Sequence, residues 1–129
     1  MILLDTHVLL WWALDPDRLS VTAAEVVATM EDEGGYASSI SIWELGIKVR
    51  RGQLQLPLTI DDFARRIERG GVVELASVDT KTWLRSSALE WTHRDPADRV
   101  IVATALIKQV PLLTKDRTMH AFDEVRCVW

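Results

Sequence analysis

Cysteine is almost missing from this chain: of its 129 residues only Cys127 carries a thiol. No intrachain disulfide can close and no cysteine-based metal site can form, so stability has to come from the core or from a partner. Missing too is any apolar run approaching the ~20 residues of a membrane span. The apolar start, Met1 to Leu14, is interrupted by Asp5 and His7 and lacks the basic leader of a secretory signal. A cytoplasmic protein without a membrane partner is the expectation. Positive charge is in deficit, with Lys and Arg totalling 15 against 19 Asp and Glu and a net charge of −4. This argues against a general basic coat for nucleic acid and leaves only local patches. Basic residues do cluster, at Lys48, Arg50 and Arg51, at Arg65, Arg66 and Arg69, and at Arg94 and Arg99. Each cluster is in the ordinary case a solvated helix face.

What is present is globular: 48% of the residues are hydrophobic and 26% charged. No linker composition, repeat or low-complexity run divides the chain, so residues 1–129 are read as one domain. At this length it buries roughly two thirds of the surface its unfolded form exposes.

The alternation of apolar segments predicts an α/β fold with a mostly parallel central sheet flanked by helices. Ile2-Leu3-Leu4 reads as a short buried strand running at Asp5-Thr6 into a helix that carries Trp11 and Trp12. Asp15-Pro16-Asp17 reads as a loop, and Ser20 caps a helix to about Glu33, stopped by Gly34-Gly35. Tyr36-Ala37-Ser38 is the next strand, followed by a helix from Ser39 to Arg51 in which Ser41 and Glu44 have capping-box spacing. Thr59 caps a helix through Arg69, Val72 to Leu75 forms a brief strand, and Asp79 caps a helix expected to carry Trp83, Leu84, Ala88 and Trp91. Asp95-Pro96 opens a helix to about Gln109, since Asp accepts from free N–H groups and Pro suits the first helical position. Pro111 to Thr114 and Val125 to Trp129 are the last strands.

On this reading Asp5, Glu44, Asp98 and Asp116 all stand at a strand end or in the first turns of the helix that follows, along the rim where open parallel sheets hold their ligands. Each has a local alternative as a cap or a partner of the helix dipole. Glu44 is flanked by Ile40, Ile42, Trp43, Leu45 and Ile47, and an enclosed carboxylate needs a partner or a metal. Converging carboxylates repel one another unless a hard divalent cation relieves them, and oxygen-only ligands favour Mg²⁺ or Mn²⁺ over zinc. Such a site suits phosphodiester hydrolysis by a metal-activated water.

The segments Leu3-Leu4-Asp5-Thr6, Ser41-Ile42-Trp43-Glu44-Leu45, Asp95-Pro96-Ala97-Asp98-Arg99 and Leu113-Thr114-Lys115-Asp116 resemble, in order, the acidic motifs of PIN-domain ribonucleases, most nearly the VapC toxins of type II toxin–antitoxin pairs. The resemblance covers essentially the whole chain. It implies that Asp5, Glu44, Asp98 and Asp116 form an acidic Mg²⁺ or Mn²⁺ site, with Thr6 and Thr114 orienting a carboxylate or bound water. It leaves Asp95 as a helix cap or, second to that, a carboxylate reaching the metals through water, His93 without a role, and Arg99 as a contact for a phosphate or an antitoxin carboxylate. It further implies a homodimer, a VapB-like antitoxin that blocks the site, and structured RNA such as tRNA or rRNA as substrate. The chain holds six Trp, and one or more of Trp11, Trp12 and Trp43 are expected to line a groove for an antitoxin helix.

Other readings fit less well. A phosphatase of the haloacid dehalogenase type wants a second aspartate where His7 stands. A zinc hydrolase built on His7, His93 and His120 lacks helical ligand spacing. A non-catalytic RNA-binding regulator would be expected to have lost an acid, and a structure-specific DNA nuclease would need segments that 129 residues hardly accommodate.

Overall fold

In the computed structural model, which describes residues 1–129, five strands form one sheet in the order β3-β2-β1-β4-β5. They are β1 (Leu3–Leu4), β2 (Gly35–Ser38), β3 (Val73–Ala76), β4 (Leu112–Leu113) and β5 (Cys127–Val128). Every neighbouring pair is parallel, so the sheet is parallel throughout. Parallel strands need crossovers, and helices supply them on both faces.

The two-residue period of a strand sorts the core. Leu4 and Leu113 face one apolar layer with Val8, Leu9, Met30, Leu45 and Phe63, whereas Leu3 and Leu112 face the other with Ile101, Val102 and Met119. Helices α1 (Thr6–Leu14), α2 (Val21–Glu33) and α4 (Ile60–Gly70) line the first layer. Helices α6 (Pro96–Lys108) and α7 (Arg117–His120) line the second, and α5 (Thr80–Ser87) packs on α6. Between them α3 (Ile40–Arg50) gives Ile40 to one layer and Leu45 to the other. No helix is long and apolar enough to cross a membrane.

Caps place the helices as their sequence signals predict. Ser20 accepts from the Ala23 N–H, Thr59 from Asp62, and Asp79 from both the N–H and the hydroxyl of Thr82, which holds the Asp79 carboxyl below its ordinary pKa. The left-handed turn between α2 and β2 falls to Gly34 (φ 74°), and a Cβ on the adjoining Gly35 would sit 2.5 Å from Met30 Sδ.

Elsewhere the structure departs from the expectation. Ser41 does not cap α3: its hydroxyl bonds Thr6 Oγ1 at 2.8 Å, and the Ile40 N–H is taken by Ser38 Oγ. The fifth helix stops at Ser87 and leaves Trp91 in an irregular segment. Arg99 of the next helix meets the carbonyls of Ser86, Leu89 and Trp91 that a continuing helix would have used. Pro16–Arg18 makes one 3-10 turn where a plain loop was expected, and the short α7 has no foreseen counterpart.

Candidate metal centre

The carboxyl ends of β1 and β4 lie side by side, and each chain segment leaves its strand through an acidic cap. Asp5 follows β1 and caps α1, with Oδ1 accepting the Thr6 N–H at 2.7 Å. Asp116 follows β4 and caps α7, with Oδ1 accepting the Thr118 N–H at 2.8 Å. Thr114 ties the two together, donating its hydroxyl to Asp5 Oδ2 at 2.7 Å and accepting the Asp116 N–H at 3.0 Å. His120 Nε2 bonds the Thr114 carbonyl at 2.7 Å and closes the turn. Glu44 comes from α3, after β2, and Asp98 from the first turn of α6 on the opposite layer.

These acids line one cavity of about 430 Å³ together with Asp95, His7, Trp11, Lys48 and Lys115. Lys48 Nζ lies 3.3 Å from His7 Nε2, and Lys115 stands over the Trp11 ring at 6.0 Å. The structure thus gathers the sequence-predicted acids Asp5, Glu44, Asp98 and Asp116 on one wall system. Its tightest donor group is a different one, His93, Asp95 and Asp98, each offering a ligand atom within 4.8 Å of the others.

Charge is held there at a cost. Burial pushes the Asp5 carboxyl above its usual pKa, against the lowering effect of the bonds from Thr114 and Thr6, and Glu44 adds repulsion. Burial likewise pushes Asp98 up to about 6, against its bond to His93 and with help from Asp95, Asp5 and Glu44. The Cys127 thiol is pushed up to about 11 by burial and by the nearby Asp5 and Asp116. Glu44 Oε1 is buried without any hydrogen-bond partner. A buried, unpaired carboxylate oxygen beside two carboxyls of raised pKa is a set of donors short of a cation. The hard oxygen ligands with one imidazole fit a divalent metal, and the His93, Asp95 and Asp98 group can coordinate one.

Of the supporting residues, Thr114 orients a carboxylate and Asp95 caps a helix as expected, whereas Thr6 and Arg99 differ. The Thr6 hydroxyl bonds Ser41 Oγ, and only its backbone N–H reaches a carboxylate, that of Asp5. Asp95 is the cap of α6, accepting from Ala97 at 2.9 Å and Asp98 at 3.4 Å, and also belongs to the donor group. Arg99 does not reach outward: its terminal nitrogens donate to the carbonyls of Trp91, His93, Ser86 and Leu89 at 2.7 to 3.0 Å. Every terminal N–H is used, so none remains for a phosphate or an antitoxin carboxylate. His93, given no role from sequence, has Nε2 only 2.6 Å from Asp98 Oδ2 and rests against Trp91. Its place five residues before Asp98, across a helix cap, was the available signal. Lys48 stood in the basic cluster with Arg50 and Arg51, His7 figured as a ligand only in the zinc reading, and Lys115 carried no signal of its own.

An acid-lined crevice at the carboxyl edge of a parallel sheet, with donors for a divalent ion, defines the class of site. The sequence profile of the PIN domain matches residues 2–125, and the chain belongs to the PIN-domain family. Ribonuclease VapC22 of Mycobacterium tuberculosis is 30% identical over 131 residues, covering 98% of this chain and 95% of the relative. Among solved structures, FitAcB from Neisseria gonorrhoeae superposes with a TM-score of 0.70 at 21% identity, covering 100% of this chain and 97% of that one. VapBC2 from Rickettsia felis, bound to a DNA fragment from its promoter, gives a TM-score of 0.69 at 13% identity, with 99% and 98% covered. A toxin–antitoxin complex from Klebsiella pneumoniae shares the fold, with a TM-score of 0.58 at 19% identity over 94% of this chain and 91% of that one.

Proposed function

We propose that this chain is a metal-dependent endoribonuclease and the toxin of a type II toxin–antitoxin pair, hydrolysing phosphodiester bonds in structured RNA of the tRNA or rRNA kind. The observation that carries the reading is the unpartnered, buried Glu44 Oε1 in a cavity shared with Asp5, Asp98 and Asp116. Asp5, Glu44, Asp98 and Asp116 would hold Mg²⁺ or Mn²⁺, with His93 and Asp95 beside them. When bound, such an ion lowers the pKa of a water and neutralises charge that develops on the phosphate oxygens.

The protein's own part is positioning. Thr114 fixes the Asp5 carboxylate through one oxygen and leaves Oδ1 to the cap, and His93 fixes Asp98 Oδ2. Lys48 and Lys115, on the same walls, can attract the phosphates that the acids would otherwise repel. The named relatives include a ribonuclease and toxin–antitoxin complexes, which supports an antitoxin partner and RNA as substrate. Assembly as a homodimer is inferred from the same kinship.

The test is cleavage of total tRNA and rRNA by purified, antitoxin-free protein with Mg²⁺, Mn²⁺ or EDTA, alongside folded Asp98→Asn. Discrete cuts that need metal and disappear in the variant are expected. Cutting that persists in EDTA or in the variant, or no cutting of any RNA, would overturn the reading.

A further inference from the structure

The acid cavity shares Glu44, Lys48 and Asp95 with a second depression of about 470 Å³, whose remaining walls include Trp43, Arg51, Gln53 and Arg94. We propose that this depression binds a nucleotide flanking the scissile phosphate, with its base stacked on Trp43 and its phosphates held by Lys48, Arg51 and Arg94. The inference rests on the nuclease reading and deepens it by naming where single-stranded RNA is gripped.

Three observations carry it. Trp43 is 58% exposed and packs against no other aromatic ring, so a flat indole face is open to solvent beside the site. Lys48, Arg51 and Arg94 form no ion pair, although the net charge is −4 and Glu44 and Asp95 share their depression. Lys48 touches only His7. The location of Lys48 and Arg51 at the carboxyl end of α3 is favourable toward the helix dipole, but Arg94 comes from another segment and has no such reason to be there.

An aromatic platform next to unpaired cations is how proteins hold single strands without reading their sequence, the base on the π face and the backbone on the cations. The depression shares Glu44, Lys48 and Asp95 with the acid cavity, so a strand with one phosphate among the acids has its next nucleotide here. The depression also explains which basic residues of the cluster matter. Arg50 is exposed and is not among its walls, whereas Arg94, distant in sequence, is.

The experiment measures fluorescence anisotropy of a fluorescein-labelled single-stranded oligoribonucleotide with the antitoxin-free protein, Ca²⁺ replacing Mg²⁺, and in parallel KM and kcat for cleavage with Mg²⁺. Trp43→Ala is expected to weaken binding about tenfold or more and to raise KM at nearly constant kcat, while Trp43→Phe, which keeps a ring, recovers most of the affinity. The Arg51→Ala, Arg94→Ala double variant is expected to weaken binding and to flatten the log–log salt dependence by about 1.4. Arg50→Ala should bind as wild type does. If wild type cuts RNA while Trp43→Ala and the double variant bind as tightly as it does, the subsite is wrong and the nuclease stands. If wild type neither binds nor cuts, both fall. Unchanged RNA affinity in Trp43→Ala with an altered sedimentation coefficient or weakened antitoxin binding would also overturn the proposal and assign Trp43 to a protein contact.

Discussion

Asp98→Asn, chosen to stop cleavage, should make the metal-free protein more stable above neutral pH. Burial raises the Asp98 carboxyl from 3.8 to about 6, so the folded state holds that proton more tightly than the unfolded chain. Its contribution to stability is therefore complete below about pH 4 and is lost as pH rises through 6. The two-unit shift corresponds to about 3 kcal/mol at the most. Asparagine keeps the shape and never ionises, and the shift to about 6 is already net of the bond to His93 at 2.6 Å. The gain at pH 8 is therefore up to about 3 kcal/mol, or a Tm up to about 10 °C higher. Differential scanning calorimetry in EDTA at pH 4 and pH 8 reads it directly: the two proteins should converge at pH 4 and separate at pH 8. Added Mg²⁺ should then raise the Tm of wild type and leave the variant nearly unmoved, because only binding to the folded state stabilises. A variant that melts lower than wild type at pH 8, with the same response to Mg²⁺, would refute both the burial argument and the assignment of Asp98 to the metal.

Replacing Arg99 by Met should cost about 2 kcal/mol in urea unfolding, since the carbonyl of buried Leu89 loses its only shown donor and that of buried Ser86 keeps only the 3.4 Å bond from the Leu89 N–H, while those of Trp91 and His93 can regain water. Amide hydrogen exchange in residues 88–94 should accelerate in the same variant, and a loss under 1 kcal/mol would show that the segment holds itself. Thr114→Val removes the hydroxyl from Asp5 Oδ2 and should weaken Mg²⁺ binding, read by calorimetry, about 10- to 100-fold without loss of fold. Gly35→Ala puts a methyl 2.5 Å from Met30 Sδ on a buried strand and should lower stability by about 1 to 3 kcal/mol, visible as a lower urea midpoint at unchanged m.

Much of this architecture is written locally. The caps Ser20, Thr59, Asp79 and Asp95 stand where short-range rules put them, because a cap depends on a side chain and an N–H two or three residues away. The parallel sheet follows from buried strands of two to four residues alternating with helices, and the placement of Asp5 and Asp116 at strand ends follows with it. What was illegible depends on contacts between segments. Trp91 has helix-like spacing, but the chain breaks off before it and its carbonyl is taken by Arg99 from α6. The cluster of His93 with Asp95 and Asp98 forms because an irregular segment folds back over a helix start, a shape with no period to read. For Arg99 the composition suggested an outward cation, whereas the free carbonyls of the broken helix end turned it inward.

The bond between Thr114 and Asp5 joins residues 109 positions apart, and the strands that carry them pair directly at the middle of the sheet. A polypeptide still being translated, with Asp5 and Glu44 made and β4 not yet emerged, has no neighbour along that side of β1 and no Asp116 on the cavity wall. Contacts so remote in sequence form only after the long intervening loop has closed. On the proposed function, a nascent chain that stops short of β4 would hold Asp5 and Glu44 without Asp116 or the Thr114 bond, and so would lack a complete site.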